Sequence, residues 1–157
     1  MAEVALREIE DGDLDALFDQ MRDPEAVRMA AFTFRDPNDR VAFDAHMARI
    51  RSRPDVTNRA ITRDGRLVGS IACFVIEGDT ELTYWIDRAV WGQGIASQAL
   101  TLFLQTVQVR PLHARAASDN AGSIRVLHKA GFRTTGTDVG YAPARNAEIE
   151  ETLLRLD

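Results

Sequence analysis

Between Asn58 and Asp87 the stretch NRAITRDGRLVGSIACFVIEGDTELTYWID gathers β-branched and aromatic residues into three runs, parted by Asp64-Gly65 and by Gly78-Asp79. Runs of that composition are strands, and the Asp/Gly pairs supply the positive φ that a tight reversal needs. The stretch predicts a three-stranded antiparallel meander. Such a ribbon persists only when its faces are covered, so the rest of the chain has to supply further strands and helices.

The flanking segments do so. VALREIE from Val4 alternates as a strand, and DLDALFDQM places Leu14, Leu17, Phe18 and Met21 on one helical face behind Asp13 as N-cap. Pro24 suits the first turn of a short helix, and DPNDRVAFDAHMARIR carries Phe43, Met47 and Ile50 as a stripe after Pro37 near its start. Past Asp87, GIASQALTLFLQTVQV repeats apolar residues at Ala96, Leu100, Phe103 and Val107 as a helix does. LHARAAS reads as a strand, NAGSIRVLHKA as a helix capped by Asn120 and ended at Gly131, and FRTTGTDVGYA with AEIEETLLRL as a terminal hairpin. The order β, helices, βββ, α, β, α, ββ predicts an α+β domain with a mixed sheet. No repeat or linker divides it, so residues 1–157 read as one domain.

Composition narrows the partners. A net charge of -5, with both signs scattered, provides no basic stripe for nucleic acid and favours a cationic small molecule or peptide. Cys73 is the single cysteine, which excludes an internal disulfide and a thiolate-rich metal site; mid-strand in SIACFVI it reads as a small core residue. His46, His113 and His128 lie on separate elements without metal-ligand spacing, so no metal is expected. The opening MAEVALREIE lacks the apolar core of a signal peptide, and no long apolar run follows. The expectation is a soluble cytoplasmic protein without a membrane partner.

YWIDRAVWGQGIAS then joins a strand to a helix through Gly92 and Gly94. The amides of Gln93, Gly94, Ile95 and Ala96 fall in the turn and the first helical turn, where orphan N–H groups and the helix dipole favour an anion such as a diphosphate. The same glycines would equally serve a tight turn with close helix-to-sheet packing. A P-loop requires Lys then Ser or Thr after the last glycine, and Ile95-Ala96 stands there instead. A dinucleotide fingerprint with Asp119 as the ribose acid fits poorly, because Ser97 occupies a position that wants Gly or Ala and an antiparallel meander precedes it.

WGQGIA resembles motif A of the GNAT superfamily of acyl-CoA-dependent N-acyltransferases, Q/R-x-x-G-x-G/A, with Trp91, Gly94 and Ala96 at its defining positions and Trp91 in place of the usual Gln or Arg. NAGSIRVLHKAGF is similar to the second motif of that family at Asn120, Ser123, Val126, Leu127, Lys129, Gly131 and Phe132. Trp91 with Gly92, and Glu81 with Tyr84 and Trp85, resemble the branch that acetylates ribosomal-protein N-termini. The resemblance implies a GNAT-like fold, a mostly antiparallel sheet of about seven strands with helices on both faces. It also implies acetyl-CoA as co-substrate and direct attack of an amine in a ternary complex, by a monomer or homodimer.

By the same resemblance Trp85, Ile86 and Asp87 offer a backbone edge to the pantetheine arm, Trp91, Gly92, Gln93, Gly94, Ile95, Ala96 and Ser97 surround the diphosphate, and Asn120 reaches the pantetheine as well as capping its helix. The resemblance implies Ser123 as general acid, by the N-x-x-S branch, since Leu127 stands where many relatives carry Tyr; Ser123 would equally serve as a helix-surface residue. Alternation sets Glu81, Thr83 and Trp85 on one face of their strand, making Glu81 the candidate base for the amine proton or else an exposed strand-end residue, with Asp79 the lesser candidate. Phe32 and Phe34 are candidate walls of the acceptor pocket or else hydrophobic-core residues. The acceptor is expected to be a cationic primary amine, a protein N-terminus, an amino acid or a small amine. An α-amine is favoured because its pKa of about 7.7–8.0 leaves far more neutral nucleophile than a lysine at about 10.4. The alternatives are a non-catalytic acyl-CoA-binding module and, more remotely, a dinucleotide-binding oxidoreductase.

Overall fold

A computed structural model describes residues 3–157; Met1 and Ala2, which begin the N-terminal stretch read above, lie outside them. Seven strands form one sheet: β1 (Val4–Glu8), β2 (Thr57–Arg63), β3 (Arg66–Ile76), β4 (Asp79–Ile86), β5 (Leu112–Ala117), β6 (Arg133–Ala142) and β7 (Ala147–Leu156), in the order β1-β2-β3-β4-β5-β7-β6. The single parallel pair is β4 with β5, and the other neighbours are antiparallel. The helices are α1 (Leu14–Met21), α2 (Pro24–Ala30), α3 (Arg40–Ser52), α4 (Ile95–Thr106) and α5 (Ala121–Lys129).

The sheet is covered on both faces, and neighbouring residues of β2 show it. Ile61 belongs to the larger core, with Leu100 and Phe103 of α4 and Leu127 of α5, whereas Ala60 belongs to a core with Leu17 and Phe18 of α1 and Phe43 and Met47 of α3. Each fully buried Leu or Phe contributes about 1.5–3 kcal/mol of apolar transfer, which holds two helical layers onto one sheet. Cys73 is buried in the larger core opposite Leu82.

Several local expectations shift by a residue or change role. At the first hairpin Asp64 and Gly65 both have positive φ, 52° and 80°; at the second the pair is Glu77 and Gly78, 51° and 85°, while Asp79 already pairs with Ile76. The turn therefore centres one residue earlier than Gly78-Asp79, because a two-residue I′ loop needs both central residues left-handed. Asp13 does not cap α1 through its side chain. Its carboxylate accepts from both terminal nitrogens of Arg7, at 2.7 and 2.8 Å, and from the Glu10 amide at 2.8 Å, and these bonds hold it below the usual carboxylate range. In α4 the buried stripe is Ile95, Ala99, Leu100 and Phe103, and Ala96 turns toward a cleft instead. Asn120 caps α5 as expected, accepting from the Ser123 amide at 3.2 Å, and Gly131 at φ 102° ends that helix, its N–H bonded to His128 O.

Gly69 was not singled out by any sequence signal. β3 skips Val68 in its pairing with β2, and a Cβ built on Gly69 would lie 2.1 Å from the Trp85 carbonyl oxygen. Only glycine lets β3 and β4 approach so closely there. Gly69→Ala should lose about 1–3 kcal/mol of stability in urea or thermal unfolding, whereas Gly12→Ala, with open space at its Cβ, should unfold like the wild type.

Candidate functional site

The site begins where the parallel pair ends. β4 and β5 pair from Thr80 with Leu112 to Leu82 with Ala114 and no further. Beyond that, β4 follows β3 to Ile86 and β5 follows β7 to Ala117, so Thr83–Ile86 and Arg115–Ala117 face each other across a widening gap. The backbone groups along this gap are edge groups in search of partners.

A cavity of about 640 Å³ opens along the β4 edge, bounded by the starts of α4 and α5 and by Ala26, Met29 and Ala30 of α2. A second, of about 270 Å³, adjoins it and is walled by Phe32, Phe74, Ile76, Glu81, Arg115 and Glu151. Tyr84, Trp85, Asn120 and Ser123 border both.

In the larger cavity Gly92 and Gly94 both adopt left-handed φ, 77° and 78°, and Gly94 is the N-cap of α4. The amides from Gly92 to Ser97 donate to no acceptor among the described residues. A run of unpartnered N–H groups at a helix N-terminus is an anion site, and Arg125 and Lys129 on the same cavity wall add cations without an ion pair among the described residues. Neither cation was identified from sequence as a site residue, because nothing local relates α5 to the loop before α4. Trp91 bonds from Nε1 to the Ile86 carbonyl at 2.9 Å and so ties the loop to the end of β4, and the Gln93 side chain accepts from Arg63.

Asp87 stands apart from the edge. Its N–H donates to Val68 O at 2.8 Å, its carbonyl accepts from Val90 at 3.0 Å and its carboxylate caps the following turn, so the open edge of β4 lies within Thr83–Ile86, less the Ile86 carbonyl that Trp91 takes, and excludes Asp87. Ile86 is on that edge, whereas the Trp85 carbonyl points to Gly69 of β3 and its indole is anchored to the Gln20 carbonyl at 3.0 Å. Asn120 spends Oδ1 on the Ser123 amide, while its Nδ2 has no protein acceptor among the described residues. Asp119 is held by Arg145 at 2.7 and 3.0 Å, and with a single parallel pair in the sheet the doubly wound alternative is excluded.

In the smaller cavity the Glu81 side chain is only 12% exposed and lies 3.5 Å from Arg115, which also meets Glu151, 13% exposed, at 3.1 Å. Phe32 lines this cavity. Phe34 does not; it packs in the α1/α3 core, edge-on to His46 at 5.2 Å. Asp79 lies at the far end of β4 against His113 at 3.7 Å, outside the cavity lining. His46, His113 and His128 contact Phe34, Asp79 and Thr134 respectively, and among the described residues no group of three or more His, Cys, Asp or Glu converges.

Between the cavities the Tyr84 hydroxyl lies 2.7 Å from Ser123 Oγ and 3.3 Å from the Ser123 carbonyl. Burial pushes the Tyr84 phenol above its ordinary range, and the Ser123 bond offsets this only in part. The role of Tyr84 was not legible in sequence, since its partner lies on an element 39 residues away.

Comparison with known proteins identifies the family. The family model described as "Acetyltransferase (GNAT) domain" matches residues 3–133, and the chain belongs to the GNAT family of acetyltransferases. A probable N-acetyltransferase of Bacillus subtilis (strain 168), YjcK, is 33% identical over 81 residues; the match spans 46% of this chain and 45% of that protein, under half its length. The fold is shared with the spermidine N-acetyltransferase from Vibrio cholerae solved with CoA and spermine (TM-score 0.84, 14% identity, covering 98% of this chain and 94% of that one). It is shared also with Mycobacterium smegmatis RimJ solved with CoA-disulfide (TM-score 0.81, 23% identity, 98% and 81% covered). Among the described residues no helix is long and apolar enough to cross a membrane.

The raised phenol is open to direct measurement. In Tyr141→Phe, which leaves Tyr84 as the only tyrosine of the two in the chain, a near-ultraviolet titration should show phenolate forming only above the ordinary pKa of about 10.

Proposed function

We propose that the protein transfers an acetyl group from acetyl-CoA to a cationic primary amine by direct attack in a ternary complex. The observation that carries this reading is the run of unpartnered amides from Gly92 to Ser97 at the mouth of the β4/β5 gap. CoA bound in the related structures from Vibrio cholerae and Mycobacterium smegmatis supports it. In this reading the amides and the α4 dipole take the diphosphate, Arg125 and Lys129 answer the remaining phosphate charge, the Thr83–Ile86 edge takes the pantetheine as an added strand would, and Asn120 Nδ2 donates to it. A backbone N–H on the same edge polarises the thioester carbonyl as the tetrahedral oxyanion forms.

The acceptor enters the smaller cavity. Two glutamates against one arginine leave it net negative, which suits an ammonium, and Phe32, Phe74 and Ile76 contact its apolar part. Glu81 receives the proton that makes the amine nucleophilic, directly or through water. Arg115 at 3.5 Å holds the Glu81 carboxylate in place, and a single carboxylate serves best an amine that is already partly neutral near pH 7. An α-amine meets that condition and a lysine side chain does not. The RimJ/RimL-like branch, whose members include the neighbour RimL, a ribosomal-protein α-N-acetyltransferase, agrees with that preference. The protein is expected in the cytoplasm, as a monomer or homodimer.

Two measurements test the reading. Calorimetry on Gly94→Val should show acetyl-CoA bound at least about tenfold more weakly, because a β-branched residue cannot hold φ 78° without strain and its side chain obstructs the amides; unchanged affinity rejects this diphosphate site. Thiol release with a panel of amines separates an enzyme from a silent acyl-CoA-binding module. With the preferred amine, Glu81→Gln should be most impaired near pH 6.5 and approach the wild type above about pH 8, where solvent supplies the neutral amine. A flat ratio of the two rates across that range would remove Glu81 from the role of base.

A further inference from the structure

We infer that Tyr84 feeds the Ser123 hydroxyl, to which the family resemblance assigns the general-acid role, forming a two-hydroxyl relay that carries the surplus proton of the acylated nitrogen to the departing thiolate. This rests on the acetyl-transfer reading and gives Tyr84 a task that Glu81 does not perform: Glu81 acts on the ammonium before attack, the relay acts on the tetrahedral intermediate after it.

The geometry is that of a short proton path. Tyr84 Oη is 2.7 Å from Ser123 Oγ, and both residues border the donor cavity and the acceptor cavity. Each partner is held. The Tyr84 ring packs against the larger core, and Ser123 is fixed by the bond from its own amide to Asn120 Oδ1 at 3.2 Å. The neighbouring α5 residue that faces inward, Leu127, is fully buried and has no proton to give. Glu81 and Arg115 line the acceptor cavity but bond to each other and not to Tyr84.

The step balances. Attack by the neutral amine on the thioester carbonyl leaves a nitrogen with one proton too many and an oxyanion. As the carbonyl re-forms, the C–S bond breaks and its electron pair goes to sulfur. The nitrogen proton passes to Tyr84 Oη, the Tyr84 proton to Ser123 Oγ and the Ser123 proton to sulfur, so amide and thiol leave while both hydroxyls keep their proton count. Such a path never requires a phenolate, which burial disfavours at this position. It requires only that each oxygen donate and accept in turn.

The test is the single-turnover rate of thiol release from acetyl-CoA, with protein in excess and an amine that the wild type accepts, in mixtures of light and heavy water. In the wild type the rate should fall along a curve as deuterium increases, the signature of more than one proton in flight. In Tyr84→Phe and in Ser123→Ala the dependence should become linear and the rate drop by about tenfold to a hundredfold, with the double variant no slower than the slower single one. Acetyl-CoA affinity by calorimetry should be unchanged in Tyr84→Phe. A linear dependence in the wild type, a Tyr84→Phe variant as fast as the wild type, or losses that multiply in the double variant would each overturn the relay and leave the acetyltransferase reading standing. No thiol release from the wild type with any amine would overturn that reading and the relay with it. Should Tyr84→Phe fail to fold, the wild-type curve alone decides.

Discussion

The early parting of β4 from β5 governs the rest of this molecule. Three residue pairs join the two strands, after which each is held to its other neighbour more firmly than to its parallel partner. The Asp87 amide bonds to Val68 O at the end of β4, and the Ser118 amide bonds to Glu150 O at the end of β5, so neither strand is free to swing back. Gly69 permits the close passage of β3 under Trp85 that keeps β4 on its course. An unpartnered backbone group in a dry interior costs about 1–3 kcal/mol, so a gap of this kind persists only where water or a ligand satisfies it.

The gap also separates two electrostatic environments. On one side lie six orphan amides, the positive end of α4 and the cations Arg125 and Lys129. On the other, Glu81 and Glu151 share a single arginine. In a chain with net charge -5, concentrating positive character around one loop takes backbone dipoles more than side chains, which is why the glycines matter: they turn the amides outward without adding bulk. The two environments favour an anion and a cation on opposite sides of the same strand edge, with Tyr84 and Ser123 between them.

Other contacts keep this arrangement rigid. Arg88 pairs with Asp23 at 2.7 Å, joining the loop after β4 to the start of α2, and Arg145 joins Asp119 to the carbonyl of Arg28 at the end of α2. Each pair leaves one partner exposed and is individually weak, yet together they close α2 over the cavity from its two ends. Trp91 does related work for the glycine loop through its bond to Ile86, which explains how a tryptophan replaces the usual polar residue of that motif.

What the sequence determined by itself is everything that depends on near neighbours. Turn glycines, helix stripes, the Asn120 cap and the glycine loop all arise within a few residues, so the element order, the three-stranded meander and the loop at the start of α4 were legible from residue types and spacing. Local patterning erred where two neighbouring turns were equally plausible, as at Glu77-Gly78, or where a side chain had a better distant partner, as Asp13 has in Arg7. Only the tertiary structure decided which residues share the site. Phe32 faces the smaller cavity and Phe34 the core, Asp87 is consumed by β3, Arg115 restrains Glu81, and Tyr84 meets Ser123, because each of these outcomes turns on strand register and on the angle at which β4 leaves β5. Register and angle come from packing summed over the whole sheet, and no short stretch of chain encodes them.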